Sequence, residues 1–374
     1  MSEELQRFHL ILTHMLSTDK EARTGAEGEY EQIPILQRST LLFQIYAEPS
    51  VAEEHRALSL VLLRRLVSNH WEDLLAIWGE ENQRVFCAQL LQAAQTETSE
   101  HLRRKVGDLI AEVARNSVDD ETGAQKWPDI VQFIQHCSTA DHDGLKEMAL
   151  SIIEDVPNVF GTNQAQCLGG VKVLLETCLG HASAKVRSAA LKAYVSYISE
   201  NDDDEKVVKT LAALVPNVIR VCEHVVQTED DDDTPLQCLA DLATTVPKTL
   251  QAHIPNIIRL CVETIRDTNK EEAYRHSSME VLTSLCENAP NMVKKRAANY
   301  LGDILQSCLI LMTELEEDIA DWLAQDDPEQ DDEEESVAVG ESSLDRIACA
   351  LNGKVVLPIF LQLANSLLLD QSTL

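Results

Sequence analysis

Apolar positions in this chain recur with the period of a helix. In the segment 186–198, Val186, Ala189, Ala190, Ala193, Tyr194 and Tyr197 fall on one stripe. In 105–114 the stripe is Val106, Leu109, Ile110 and Val113. This i, i+3, i+4, i+7 spacing lets an amphipathic helix bury one face. Strand signals are weak, with aromatic residues at 4% and little strict alternation. The pattern predicts an all-α chain.

The helical segments also resemble one another. A short word recurs: a mostly apolar residue, usually a basic one, two variable positions, then a mostly small residue. It reads Ala22-Arg23…Ala26, His55-Arg56…Ser59, Leu102-Arg103…Val106 and Leu145-Lys146…Ala149. It continues as Val186-Arg187…Ala190, Leu236-Gln237…Ala240, Tyr274-Arg275…Ser278 and Leu344-Asp345…Ala348. The intervals are 33, 47, 43, 41, 50, 38 and 70 residues. All but the last scatter about the ~40–47 residues of a two-helix HEAT-type repeat. The small residues let helices approach closely. The basic residue is expected to snorkel, or to pair with a carboxylate on the next repeat.

Between the words lie the expected partner helices, at Glu3–Leu16, Ile35–Ala47, Asn82–Ala94, Pro128–His136, Ala165–Leu179, Lys206–Val226, Pro255–Ile265 and Ala297–Leu315. Val156-Pro157, Val215-Pro216, Val246-Pro247 and Ala289-Pro290 place proline where a helix cannot run on from the preceding residue. The fold expected is therefore an α-solenoid of about eight helix pairs. Such repeats pack on their neighbours and leave a long concave surface. The last interval is longer than the period because an acidic stretch is inserted between the two helices of the eighth pair. After it, Lys354–Leu369 reads as the first helix of an incomplete ninth, as in part of a longer chain or a shortened product. One solenoid over 1–374 is expected, divided into repeats 1–118, middle repeats 119–313, an acidic insertion 314–343 and a final portion 344–374.

The insertion changes the picture most. From Glu314 to Glu335 it holds 13 acidic residues in 22, and no Lys or Arg occurs between Arg296 and Arg346. Like charge this dense stays solvated and attracts something basic. The whole chain carries a net charge of −32. That charge repels phosphate, so direct nucleic-acid binding is not expected, and it favours basic partners by long-range steering. The ten cysteines sit singly, without a CxxC pair, which fits small buried hydrophobes in a reducing compartment more than a disulfide frame or a metal site. His136-Cys137 and Cys222-Glu-His224 have no matching second pair. No apolar run approaches the ~20 residues that span a bilayer, and the N-terminal segment is not a signal peptide. A cytosolic or nuclear chain without cofactor, metal or membrane insertion is expected. Catalysis is not indicated, since Gly353-Lys354 lacks the upstream glycine and following Ser/Thr of a phosphate loop.

Several stretches resemble a known family. ALSLVLLRRLVSNHW (57–71) and QTETSEHLRRKVGDLIAEVARN (95–116) are similar to the N-terminal repeats of importin-β type receptors, the karyopherin-βs. The words DWLAQDD and GESSLDRIACALNGKVVLP, within 321–358, resemble the karyopherin-β3 branch, as does AEGEYEQIP at 26–34. The resemblance implies a nuclear transport receptor that shuttles between cytoplasm and nucleus. Such receptors bind Ran in its GTP form and carry basic cargo, including ribosomal proteins and histones. Nucleoporin contact is compatible with it. Family chains are much longer, so the role of this chain by itself stays open between such a receptor and two alternatives. These are an acidic chaperone for basic proteins without Ran-dependent switching, and a HEAT scaffold.

Candidate contact residues follow from the faces. On the third word helix, Arg104, Asp108, Glu112 and Arg115 lie opposite the apolar stripe, and Arg64, Arg65 and Asn69 end the second. Charged side chains so placed suit paired hydrogen bonds to a GTPase surface. In the acidic insertion, Glu316, Glu317, Asp318, Asp321, Asp326, Asp327, Asp331, Asp332, Glu333, Glu334 and Glu335 would face Ran or basic cargo. Trp322 among them would tether the stretch or anchor a partner.

Overall fold

The chain is described here from a computed structural model over residues 2–228, 232–314 and 336–369. Among these residues it is all-α, of the solenoid class, with no strand beyond one isolated bridge between Val118 and Gln125. It forms two compact units, Met1–Leu174 and Leu175–Leu374.

In the first unit the helices are α1 (Glu3–Met15), α2 (Lys20–Gln32), α3 (Ile35–Ala47), α4 (Glu53–Thr96), α5 (Glu100–Asn116), α6 (Asp129–Thr139) and α7 (Asp143–Asp155). Helix α8 (Gln164–Leu179) spans the division. The second unit holds α9 (Ala184–Glu200), α10 (Glu205–Ala212), α11 (Val215–Thr228), α12 (Thr234–Thr245), α13 (Ile254–Arg266) and α14 (Glu272–Asn288). It continues with α15 (Pro290–Arg296), α16 (Leu301–Met312), α17 (Ser336–Leu351) and α18 (Gly353–Leu369). Each of the eight words lies on its own helix: α2, α4, α5, α7, α9, α12, α14 and α17.

The word helices pack on one another in sequence. In the first unit α4 meets α5 and α5 meets α7; in the second, α9, α12, α14 and α17 follow in order. Partner helices make a second layer, with α13 against α16 and α16 against α18. The core lies between the layers. Val106, Leu109, Ile110 and Val113 of α5 are fully buried, as are Ala193, Tyr194 and Tyr197 of α9. Burying a side chain of this size contributes about 1.5–3 kcal/mol before its ordering entropy is counted.

The basic position of the word has a more particular role than snorkelling. A helix ends with four carbonyls that lack an intrahelical donor and carry partial negative charge. Arg56 Nε donates to the Tyr46 carbonyl at 2.7 Å, and Arg275 Nε donates to that of Ile265 at 3.0 Å. Arg103 reaches the Glu97 carbonyl at 2.5 Å. Arg23 bonds the Ser17 and Thr18 carbonyls, and Arg187 those of His181 and Ala182. Five words thus close the turn before them. Two also pair onward with a carboxylate, as the sequence leads one to expect: Arg56 with Glu97 at 2.8 Å, and Arg275 with Glu314. The two acids follow the ends of α4 and α16, so a single guanidinium ties the end of one partner helix to the end of the next.

Three expected boundaries shift. The helix expected at Lys206–Val226 is two, broken between Ala212 and Val215, with Pro216 in the first turn of α11, where its missing N–H costs nothing. The helix expected from Ala297 begins at Leu301, after short α15 and a 3-10 turn over Ala298–Tyr300. Asn82–Ala94 is the last part of α4, which loses helical geometry at His70 (φ −138°, ψ 29°) and Gly79 (φ 67°, ψ 169°). Aromatic packing sets this course, for the Trp78 and Phe86 rings lie 4.8 Å apart across Gly79. The other prolines act as expected. Val156, Val246 and Ala289 precede them with φ of −135°, −130° and −137°, each ending a word helix.

Of the acidic insertion expected at 314–343, residues 315–335 lie outside the described residues, whereas 336–343 are not loop but the first turns of α17. Helix α17 packs directly on α16, and a Cβ at Gly340 would stand 2.7 Å from the Cys308 carbonyl oxygen. The flanking residues land on neighbouring positions of α14: Glu314 on Arg275, and Ser336 Oγ at 2.9 Å from His276 Nε2. Asn352, at φ 74°, ends α17 before α18 begins. Replacing Arg275 by Met leaves the Ile265 carbonyl and the Glu314 carboxylate without their donor. It should destabilise the second unit by about 3 kcal/mol in urea unfolding, against about 1 kcal/mol for Arg23→Met, whose bonds are more exposed. Equal midpoints for Arg275→Met and the unaltered chain would contradict the tie.

Candidate functional site

The first unit carries a mixed-charge cluster on its word-helix layer. Leu102, Val106, Leu109 and Val113 turn into the core. The other face of α5 therefore presents Asp108 and Glu112 outward, at positions three to four residues apart. Asp108 meets Arg64 of α4 at 3.8 Å and Lys105 at 3.5 Å. Glu112 accepts from Arg115 at 2.8 Å and from Asn116 at 3.0 Å. The other end of the Arg115 fork donates to the Asp155 carbonyl at the end of α7, at 2.9 Å. The pairs of Asp108 with Arg64 and Lys105 are the more exposed and contribute only ~0.2–1 kcal/mol each to the fold, whereas the Glu112 side chain is 13% exposed and held by both Arg115 and Asn116.

Of the seven residues proposed from sequence, four come together here: Arg64, Asp108, Glu112 and Arg115. Asn69 lies beside them, lining a groove with Arg115. Arg104 does not join, because Glu100 one turn earlier on α5 captures it at 2.7 Å. Arg65 lies elsewhere as well. Its charge acts on Tyr30 of α2, whose hydroxyl burial pushes up to about 12.

Asp155 was not among those residues, yet it completes the cluster. Burial, with Asp108 and Glu112 close by, raises its pKa, while Arg115 and Arg64 pull the other way. It is also the last residue of α7, where the helix dipole disfavours a negative charge. The signal was available in the word frame. Asp155 follows Lys146 by nine residues, as Glu112 follows Arg103.

The second unit uses its charges differently. Arg346, in the word GESSLDR, bonds both carboxylate oxygens of Glu280 at 2.7 and 2.9 Å, and those of Glu287 at 2.6 and 3.1 Å. It thereby ties α17 to α14 and has little capacity left for a partner. The acidic candidates Glu316 to Glu335, Trp322 among them, lie outside the described residues. The thiols offer no nucleophile where burial is deep: Cys87, Cys137, Cys261, Cys286 and Cys308 are each pushed up to about 12. Among the described residues no group of three or more His, Cys, Asp or Glu could hold a metal ion, and no helix is long and apolar enough to cross a membrane.

A two-layered helical-repeat protein with charged, solvent-facing word helices is a binding scaffold by class. Comparison with known proteins gives the family. Residues 98–260 match the family described as IPO5-like, TPR repeats, and residues 267–358 match the importin repeat. Importin subunit beta-3 of Saccharomyces cerevisiae is 26% identical over 379 residues, covering 96% of this chain and 34% of its own length. The crystal structure of Kap121p superposes with a TM-score of 0.83 at 26% identity, covering 99% of this chain and 35% of that one. Structures of Kap121p bound to RanGTP and to Nup53p each superpose at 0.82 with 25% identity and the same coverage. The chain belongs to the karyopherin-β family and corresponds to the N-terminal portion of its relatives. It spans about a third of their length.

The raised pKa of Asp155 has a consequence for stability. A carboxyl with a higher pKa folded than unfolded binds more protons in the folded state, so it costs stability as pH rises through that window. Asp155→Asn should therefore raise the melting temperature at pH 7. The gain should vanish below the unfolded carboxyl range of about 4, where both side chains are neutral. A gain that is constant across pH would contradict the assignment.

Proposed function

We propose that this chain acts in nuclear transport as a karyopherin-β, binding Ran in its GTP form through the first unit. In this reading the cluster of Arg64, Asp108, Glu112, Arg115 and Asp155 faces the GTPase, and the acidic stretch 314–335 contributes charge to Ran or to basic cargo such as ribosomal proteins and histones. The observation that carries it is the meeting of cations and carboxylates from α4, α5 and α7 on one layer, within a fold shared with Kap121p, which has been crystallised with RanGTP. Mixed charge of this kind gives specificity and on-rate more than affinity. A receptor with such partners shuttles between cytoplasm and nucleus. The relative bound to Nup53p favours nucleoporin contact as well. Because the chain spans a third of its relatives, cargo transport by the whole protein is part of the proposal.

A second reading keeps the binding of basic proteins without the nucleotide switch. The charge of −32 and the 13 acidic residues in 22 favour it. The two readings separate by mutation. Charge reversal at Arg64 and Arg115 to Glu should weaken Ran-GTP binding at least tenfold and leave histone binding within about twofold. Deleting 315–335 should weaken histone binding, with the difference fading as salt rises and the Debye length falls to ~3 Å at 1 M. Fluorescence titration of folded variants reads both. Undiminished Ran-GTP affinity in the Arg64/Arg115 variant would remove the first reading's site.

A further inference from the structure

One word departs from the others at a position that the packing keeps apolar. The first residue of the word is fully buried as Leu102, Val186 and Leu236, yet in α4 it is His55, one turn into the helix. That choice places a group that titrates near neutrality in the joint between α4 and α1. The His55 ring meets that of His9 on α1 edge to face, with centroids 4.7 Å apart and planes at 66°. Both residues are half-buried.

The hydrogen bonds fix which nitrogen of His55 carries its proton. Thr13 Oγ1 donates to the His9 carbonyl at 2.9 Å, the bond a helical threonine makes one turn back. Its single proton is thereby used, so in its 3.1 Å contact with His55 Nε2 it accepts. His55 is therefore the Nε2–H tautomer, inferred from the network, and Nδ1 is the bare nitrogen. That Nδ1 is buried and has no hydrogen-bond partner among the described residues, and neither has Nε2 of His9. A further proton on His55 can only go to Nδ1. There it makes a buried N–H without an acceptor, on a ring that has become a cation against a second imidazole. A buried donor left unpaired carries its full desolvation cost.

Little around the pair offsets that cost. Burial, with His9 beside it, holds His55 below the ordinary histidine range, and Glu54 pulls the other way. The other charges on the surrounding helices are turned elsewhere. On α4, Glu53 is held by Ser99 and His101 of α5, and Arg56 by the Tyr46 carbonyl and Glu97. On α1, Glu3, Glu4 and Arg7 line a groove towards α2 and α3, and His14 is exposed in the last turn. Arg23 of α2 bonds the Ser17 and Thr18 carbonyls, and Arg38, the one charged residue of α3, lies over the Tyr30 ring.

We propose that His9 and His55 form an acid-sensitive catch in the first unit: neutral His55 holds α1 on α4, and a proton at its Nδ1 releases α1. Thr13 and His9 are the α1 half of the catch, and His55 is the α4 half. Release gives Nδ1 water as its partner and uncovers the face of α1 that buries Leu5, Phe8, Ile11 and Leu12. The opened form binds the proton more tightly than the closed one. Closure is therefore complete above the ordinary imidazole value of about 6.5 and weakens as pH falls below it.

Amide hydrogen exchange of the full chain, corrected for intrinsic rate, tests the catch at pH ~7.5 and ~5.5, both above the ordinary carboxylate range. The amides of α1 should lose about threefold to tenfold in protection at the lower pH, tenfold being the most that one proton allows per pH unit. Those of α5 and α7 should keep theirs. His55→Leu restores the residue that other words use, and should hold α1 equally at both pH values. His55→Phe, which keeps a ring for His9 to meet, replaces it should His55→Leu not fold. Equal protection of α1 at the two pH values in the unaltered chain overturns the proposal. So does a loss that persists in the folded variant, or one spread evenly over the first unit.

Discussion

The structure depends on a guanidinium placed near the start of five of the eight word helices. A stack of helix pairs exposes a row of helix ends, and each end leaves carbonyls that must find donors or water. The arginines at 23, 56, 103, 187 and 275 supply those donors from the next helix. Two of them extend the tie to a carboxylate one helix further on. An arginine suits this better than a lysine, because its planar fork serves two acceptors in fixed directions. The apolar stripe supplies most of the burial energy, but the stripe by itself does not set the turn. The arginine fixes how one pair hands over to the next, and hence which face of each word helix is left to solvent.

That face is where function is to be sought. In the first unit it is charged with both signs and weakly paired, through Arg64, Asp108, Glu112, Arg115 and Asp155. In the second, Arg346 is engaged by both Glu280 and Glu287. The first unit therefore offers a surface of mixed charge, and the second carries a sequence of one sign at 314–335. The geometry that joins α16 to α17 gives the acidic sequence a defined origin, since Glu314 and Ser336 meet adjacent residues of α14. The family membership and this division of charge point the same way.

Much of this was legible in the sequence, and the failures have identifiable causes. The word frame located all eight helices, five of them through an arginine whose contact with the preceding turn recurs. Proline marked three word-helix ends through its effect on the residue before it. The break at His70 carries no proline or glycine to signal it, and the second departure, at Gly79, lies between Trp78 and Phe86, whose rings pack together only in the folded chain. Among the site residues, Arg104 was placed by its helix face alone, and the competing Glu100 on the same face was overlooked. Arg65 was grouped with Arg64 because both lie near the end of the second word helix in the stretch that resembles the family, although neighbours in a helix point about 100° apart. Asp155 was missed because each helix was read singly. Aligning Glu112 and Asp155 by the word puts them in register. The groove beside Asn69 required two walls that are some fifty residues apart in sequence.

The central claim is that the first unit reads the state of a GTPase through this charged layer. Calorimetric titration of the chain with Ran loaded with a non-hydrolysable GTP analogue, and separately with GDP, tests it most directly. The account predicts a dissociation constant at least tenfold lower for the GTP form. Equal affinity for the two forms, or binding to neither, would contradict it.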